Sequence, residues 1–157
     1  MPVKKRKGER GLTLIELIVA FTILSLLTSM AVPLARYRVR LEKERELRYA
    51  LREIHKAIDD YKDASLAGKI EVKLGSEGYP ESLEQLVEGV KLLQSAEGKK
   101  IKFLRRIPKD PMTNSYDWGK RSMQDDPKSQ SWGGQSVFSV YTKSFARARD
   151  GTPYSEW

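Results

Sequence analysis

The 157-residue chain has no cysteine and a single histidine, His55. Disulfides and thiolate metal sites are thereby excluded, as is any centre that needs two imidazoles. No Ser-His-Asp set, metal-ligand cluster or phosphate-binding glycine loop stands in the sequence, so no catalytic, cofactor or metal residues are expected and a structural role is favoured over an enzyme. Hydrophobic residues are also scarce, at 39% of the chain. Much of that share is concentrated in one block near the N-terminus.

The block is Leu12–Ala35, LTLIELIVAFTILSLLTSMAVPLA, and its only charge is Glu16. At about 1.5 Å per residue, its 24 residues reach roughly 36 Å as a helix, against about 30 Å of bilayer hydrocarbon. A single membrane span is therefore predicted. The formal charge is +8, but the first eleven residues, MPVKKRKGERG, carry five Lys/Arg and one Glu, and without them +4 remains. Half of the basic balance thus has a use in topology, and no nucleic-acid partner is expected from it. Arg36, Arg38 and Arg40 flank the far end of the span. The leader's five cations are packed into seven positions, which favours a cytoplasmic leader and a globular part across the membrane.

A cleavable Sec signal has a shorter apolar core, of about 7–15 residues, and an ordinary signal anchor gives no reason for Glu16. The order found here is a basic leader, Gly11, then Leu-Thr-Leu-Ile-Glu-Leu-Ile-Val. It resembles the class III signal of type IV pilins and of type II secretion pseudopilins. The resemblance places the scissile bond between Gly11 and Leu12, makes Leu12 the N-methylated new terminus, and makes Glu16 the assembly glutamate. Pro33 falls where that family's membrane helix often has a proline. Leu12 departs from the family's usual Phe or Met. A carboxylate in a membrane helix costs roughly 2.5–3.5 kcal/mol and usually has a partner. The α-amine of Leu12 on a neighbouring subunit is one partner for Glu16; solvation at the membrane face is the other reading.

Beyond the span, Leu47, Leu51, Ile54, Ile58 and Tyr61 recur at spacings of four and three, and Ala50, Ala57 and Ala64 widen that face. One helix from about residue 12 to 66, stopping before Gly68, is predicted. Ser82-Leu83-Glu84-Gln85 resembles a capping box, so a short helix should run to about Glu88 before Gly89. Strands are expected at Tyr116–Trp118 and Val137–Thr142, with a polar, turn-rich Ser122–Ser131 between them. The prediction is α+β: a long N-terminal helix against a small C-terminal antiparallel sheet. His55 lies on a charged helix face and is expected to be exposed. Trp118 and Trp132 are expected to pack.

Tyr79-Pro80, then Arg106-Ile107-Pro108-Lys109-Asp110-Pro111, a strand, and the terminal Trp157 resemble the major pseudopilin of type II secretion. In that turn two prolines fix the chain and Asp110 can accept nearby amides. Those subunits carry an acidic calcium loop, but the matching stretch Lys143–Gly151 offers one carboxylate, Asp150, among three cations, so no metal site is expected. The resemblance implies a cleaved leader, 1–11, a transmembrane and filament-core helix, 12–35, and a pilin-like globular domain, 36–157. It implies a homo-oligomeric pseudopilus rooted in the bacterial inner membrane that helps export folded proteins. The implied partners are prepilin peptidase, an inner-membrane assembly platform, minor pseudopilins and membrane lipid. The alternative is a type IV pilus subunit for adhesion, motility or DNA uptake.

Overall fold

The computed structural model describes Gly11, residues 13–93 and residues 98–157. The chain divides into two compact units, Met1–Leu41 and Glu42–Trp157. The first helix, α1, covers Leu14–Leu66 and contains Pro33.

In the first unit, Thr13 closes the start of α1. Its hydroxyl accepts the Glu16 N–H at 3.3 Å and its carbonyl accepts the Leu17 N–H at 3.1 Å. From Leu14 to Arg40 every described side chain is exposed. Three hydroxyls within this apolar stretch are satisfied internally: Thr22 donates to the Ile18 carbonyl, Thr28 to Leu24 and Ser29 to Leu26. Such back-bonding removes the polar penalty that free hydroxyls would carry in hydrocarbon. Pro33 has no N–H to give, so the Ser29 carbonyl lacks its usual helical donor.

In the second unit, α1 becomes one-sided. Leu47, Ala50, Leu51, Ile54, Ala57, Ile58, Tyr61 and Ala64 are all buried, the face that the spacing predicted. The helix ends at Gly68, whose φ of 63° is left-handed. The Gly68 N–H donates to the Ser65 carbonyl and the Lys69 N–H to Ala64, which closes the last turn in a Schellman arrangement. Helix α2, Leu83–Glu88, starts at the N-cap Ser82 and ends at Gly89. Its capping box is displaced by one residue. Ser82 Oγ accepts from the Gln85 N–H, but Gln85 Oε1 accepts from the N–H of Glu81, not of Ser82.

The expected single sheet is two separate antiparallel pairs. Strand β1, Val90–Lys91, pairs with β2, Lys100–Ile101, an arrangement too short for periodicity to reveal. Strand β3, Gly119–Arg121, pairs with β4, Ser139–Tyr141, with Lys120 opposite Val140. The strand expected at Tyr116–Trp118 thus lies three residues later. Asp110 and Ser115 bridge, and Ser115 Oγ accepts the Asp117 N–H, so a turn occupies those positions. The strand expected over Val137–Thr142 is trimmed at both ends. Val137 donates instead to the Pro80 carbonyl at 2.7 Å, and Thr142 gives its hydroxyl to Asp110.

Side chains supply what short strands lack. A Cβ at Gly119 would run into the Tyr141 ring, so glycine lets that ring lie across β3. The Arg121 guanidinium covers the other part of the ring at 3.9 Å and donates to the carbonyls of Ser129 and Ser155. The C-terminal 3₁₀ turn, Tyr154–Glu156, returns to α1: Tyr154 donates to Glu44 at 2.6 Å, and Arg48 stacks on Trp157. Trp118 is buried with its indole N–H on the Pro108 carbonyl. Trp132 is partly exposed and donates to the Ser136 carbonyl, with Lys120 over its ring.

Asp110 is the central polar group, with none of its surface exposed. One oxygen accepts the Met112 N–H at 2.8 Å; the other accepts the hydroxyls of Thr113 at 2.9 Å and Thr142 at 2.6 Å. It ties the proline turn to the end of β4. Residues 36–157 are expected to fold as a soluble monomer, with helix and strand signals and cooperative melting by circular dichroism. In that fragment Asp110→Ala should lower the unfolding free energy by roughly 2–4 kcal/mol in urea titration, because the buried Thr142 hydroxyl and the half-buried Met112 amide lose their acceptor. A molten parent fragment, or an unchanged midpoint in the variant, would contradict this.

Candidate processing and assembly site

The residues singled out at the N-terminus are Gly11, Leu12 and Glu16. Leu12 lies outside the described residues, as do the leader residues 1–10. Gly11 is exposed and lies ahead of α1, and nothing stands within 4 Å of where its Cβ would be. The chain itself therefore sets no steric bar against a side chain there. Any requirement for glycine would come from an enzyme that grips the junction.

Glu16 is the third residue of α1 and is exposed. Its backbone N–H is taken by Thr13, while its carboxylate sits in the first helical turn, where the N-terminal end of the dipole favours negative charge. That effect is worth about 0.3–1 kcal/mol. Removal of a carboxylate from water inside a membrane costs roughly 2.5–3.5 kcal/mol. The helix end therefore offsets only part of the cost, and a counter-charge or water must supply the rest. The role of Thr13 went unread in the sequence, although Thr-x-x-Glu ahead of an apolar run is itself a capping signature.

The stretch Leu14–Leu66 contains a segment long and apolar enough to cross a membrane, with none of that segment buried. Residues 6–32 match the prokaryotic N-terminal methylation motif. The chain carries a type IV pilin-like prepilin signal. That signal implies processing by prepilin peptidase and assembly into a filament, of a pilus or of a pseudopilus. The match stops at residue 32, so it speaks for the N-terminal segment and not for the second unit. No curated protein and no solved structure matches the chain.

Within the second unit, the one carboxylate of the 143–151 stretch is engaged by its own turn. Asp150 Oδ1 accepts the Thr152 N–H at 2.9 Å, and this bond holds its carboxyl below the ordinary range. Among the described residues no group of three His, Asp or Glu side chains is placed to hold a metal. Asp125, in the turn-rich 122–131 stretch, accepts the N–H groups of Ser122 and Gly133, which hold its carboxyl low and close the 122–133 loop.

His55 corrects another expectation. It is half-buried, not exposed, at the edge of the α1 stripe beside Ile54. Its Nε2 accepts the Val140 N–H at 3.3 Å and lies 3.2 Å from Ser139 Oγ. Nε2 must then be unprotonated, with the proton on Nδ1. Desolvation pushes the imidazole pKa below its ordinary value, against the pull of Asp59. Arg52, Asp150 and Trp157 share the cavity that it faces. The unfolded chain binds this proton more readily than the folded chain. Stability contributed by His55 is therefore complete above about pH 6.5 and is lost as pH falls from there through the folded pKa. Unfolding free energies measured between pH 5 and pH 8 should decline toward acid by at most about 1.4 kcal/mol per pH unit from this group. The His55→Leu variant should lose that part of the slope; an unchanged slope would assign the decline to other groups.

Proposed function

We propose that the chain is the precursor of a structural subunit of a type II secretion-like pseudopilus. Prepilin peptidase cleaves between Gly11 and Leu12, and the new Leu12 terminus is N-methylated. The mature subunit is held in the bacterial inner membrane by residues 12–35, with the leader cytoplasmic and residues 36–157 periplasmic. From there an assembly platform and minor pseudopilins incorporate it into a homo-oligomeric filament that helps export folded proteins. The observation that carries this reading is the prepilin signal of residues 6–32, which runs into a helix, α1, whose described apolar side chains are exposed and whose apolar stretch has Glu16 as its single charge. Support for a secretion filament over a surface pilus comes from the Pro108-Lys109-Asp110-Pro111 turn, whose Asp110 is buried and bonded to Thr142.

Intact-mass measurement of the protein recovered from membranes should show the loss of residues 1–11, with one added methyl group. A mature start near Val32 would establish a Sec signal and remove the filament reading.

Glu16 is proposed to pair with the Leu12 amine of the adjacent subunit, which sets the axial register. Much of the Coulomb energy of such a pair goes into offsetting desolvation, so its main effect is on recruitment and register. Glu16→Leu makes the helix easier to insert, since the desolvation cost disappears. The variant should be cleaved, stay in the membrane and form no filaments when supplied with the assembly machinery, as read by electron microscopy. Filaments of normal number and axial rise would refute the pairing and favour a solvated carboxylate.

A further inference from the structure

The charge beyond the leader is concentrated in one place. Residues 99–109, KKIKFLRRIPK, hold six Lys/Arg and no carboxylate. The rest of the chain after residue 11 is then net −2. The expectation of no nucleic-acid partner rested on the overall balance, which averages this run away.

The run is pinned by its apolar members. Ile101 pairs with Val90, and the N–H groups of Phe103 and Leu104 both donate to the Leu86 carbonyl at 3.0 Å. Leu104 is buried, and Phe103 stands edge-on to Tyr61. Lys100, Lys102, Arg105, Arg106 and Lys109 are left exposed. Among the described residues none of these five has a carboxylate within ion-pair distance. Like charges held together by a fixed backbone raise the potential between them and attract a polyanion.

Arg105, Arg106 and Lys109 line a groove of about 990 Å³, to which α1 adds Arg45 and Arg52. Two carboxylates, Glu46 and Glu53, also line it, against those five cations. Two phenol rings complete it, Tyr49 at 65% exposure and Tyr116 at 63%. Aromatic rings left this open have π-faces free to stack. An acidic protein surface would use the cations alone. A bilayer surface presents headgroups to a flat face and does not enter a concavity. A single-stranded nucleic acid uses both features, with phosphates on the cations and unpaired bases on the rings.

We propose that this groove binds single-stranded nucleic acid, with the phosphates held by Arg105, Arg106 and Lys109 and the bases stacked on Tyr49 and Tyr116. The proposal is independent of whether the filament is a secretion pseudopilus or a pilus, and its failure would leave that reading untouched.

The test is fluorescence anisotropy with the full chain in non-ionic detergent and a labelled oligothymidylate of about 20 nucleotides at about 50 mM salt. Arg105→Gln/Arg106→Gln/Lys109→Gln should raise Kd at least about tenfold and lower the slope of log K against log salt by about 2, near 0.7 for each lost phosphate contact. The leader control, Lys5→Gln/Arg6→Gln/Lys7→Gln, should bind as the parent does. Tyr49→Ala and Tyr116→Ala should each weaken binding of the single strand and leave binding of a duplex of the same length unchanged. All the substituted groove residues are exposed, and unchanged melting curves would verify that the variants fold. An oligouridylate of equal length separates RNA from DNA as the preferred strand. The proposal is overturned if the triple variant binds normally, if the leader variant carries the loss, or if the tyrosine variants bind the single strand as the parent does. Equal competition by phosphatidylglycerol vesicles would assign the groove to a membrane surface, and by polyglutamate to an acidic protein; either result also overturns it.

Discussion

Leu47, Ala50, Leu51, Ile54, Ala57, Ile58, Tyr61 and Ala64 form one stripe of α1, and the burial of that stripe is the constraint on which the second unit depends. Small alanines alternate with large side chains, so neighbouring segments approach the helix closely. Leu83 and Leu86 of α2, Leu104, Trp118, Val137, Val140 and Tyr154 belong to the same buried cluster. Each fully buried side chain of the Leu, Ile or Val kind contributes about 1.5–3 kcal/mol, so the stripe outweighs any single polar contact. The short elements of the C-terminal half are arranged around it.

Those elements are too short to hold themselves. Strands of two and three residues form few ladder bonds, and an isolated hairpin of that length is marginal in water. Buried and half-buried polar side chains do the connecting. Asp110 joins the proline turn to Thr142, Arg121 joins β3 to the 122–131 loop and to the C-terminal turn, and His55 joins α1 to β4. Among the described residues no buried side-chain nitrogen or oxygen is left without a partner. That completeness matters, because one lost partner in a buried network costs more than one gained contact contributes.

The first unit obeys a different physics. From Leu14 to Arg40 no described side chain of its helix is buried, and the hydroxyls of Thr22, Thr28 and Ser29 are turned back onto the helix's own carbonyls. A helix of this kind is stable where the solvent is lipid or where copies of itself surround it. Glu16 is the exception, and its position in the first turn reduces its cost without removing it. A carboxylate in a membrane whose cost is incompletely compensated gains from a cation, and the proposed pairing with the Leu12 amine of a neighbouring subunit would supply one.

Periodicity and composition determined by themselves the apolar run, the amphipathic stripe, the glycine that ends α1, the second helix and its cap, and the α+β class. These follow from local rules: which residues recur every three or four positions, and which residues permit left-handed backbone. The N-terminal signal was legible for the same reason, since its leader, glycine and glutamate are adjacent in sequence. Tertiary structure alone decided the rest. The strands moved or shortened because Val137 found Pro80 and Thr142 found Asp110, partners far away in the chain. His55 looked solvated on a charged helix face until Ser139 and Val140 came to meet it. The cations of 99–109 became a groove only when α1 brought Tyr49 and Arg52 beside them. Each of these outcomes depends on a contact between residues distant in sequence, and no local pattern encodes which distant atom will arrive.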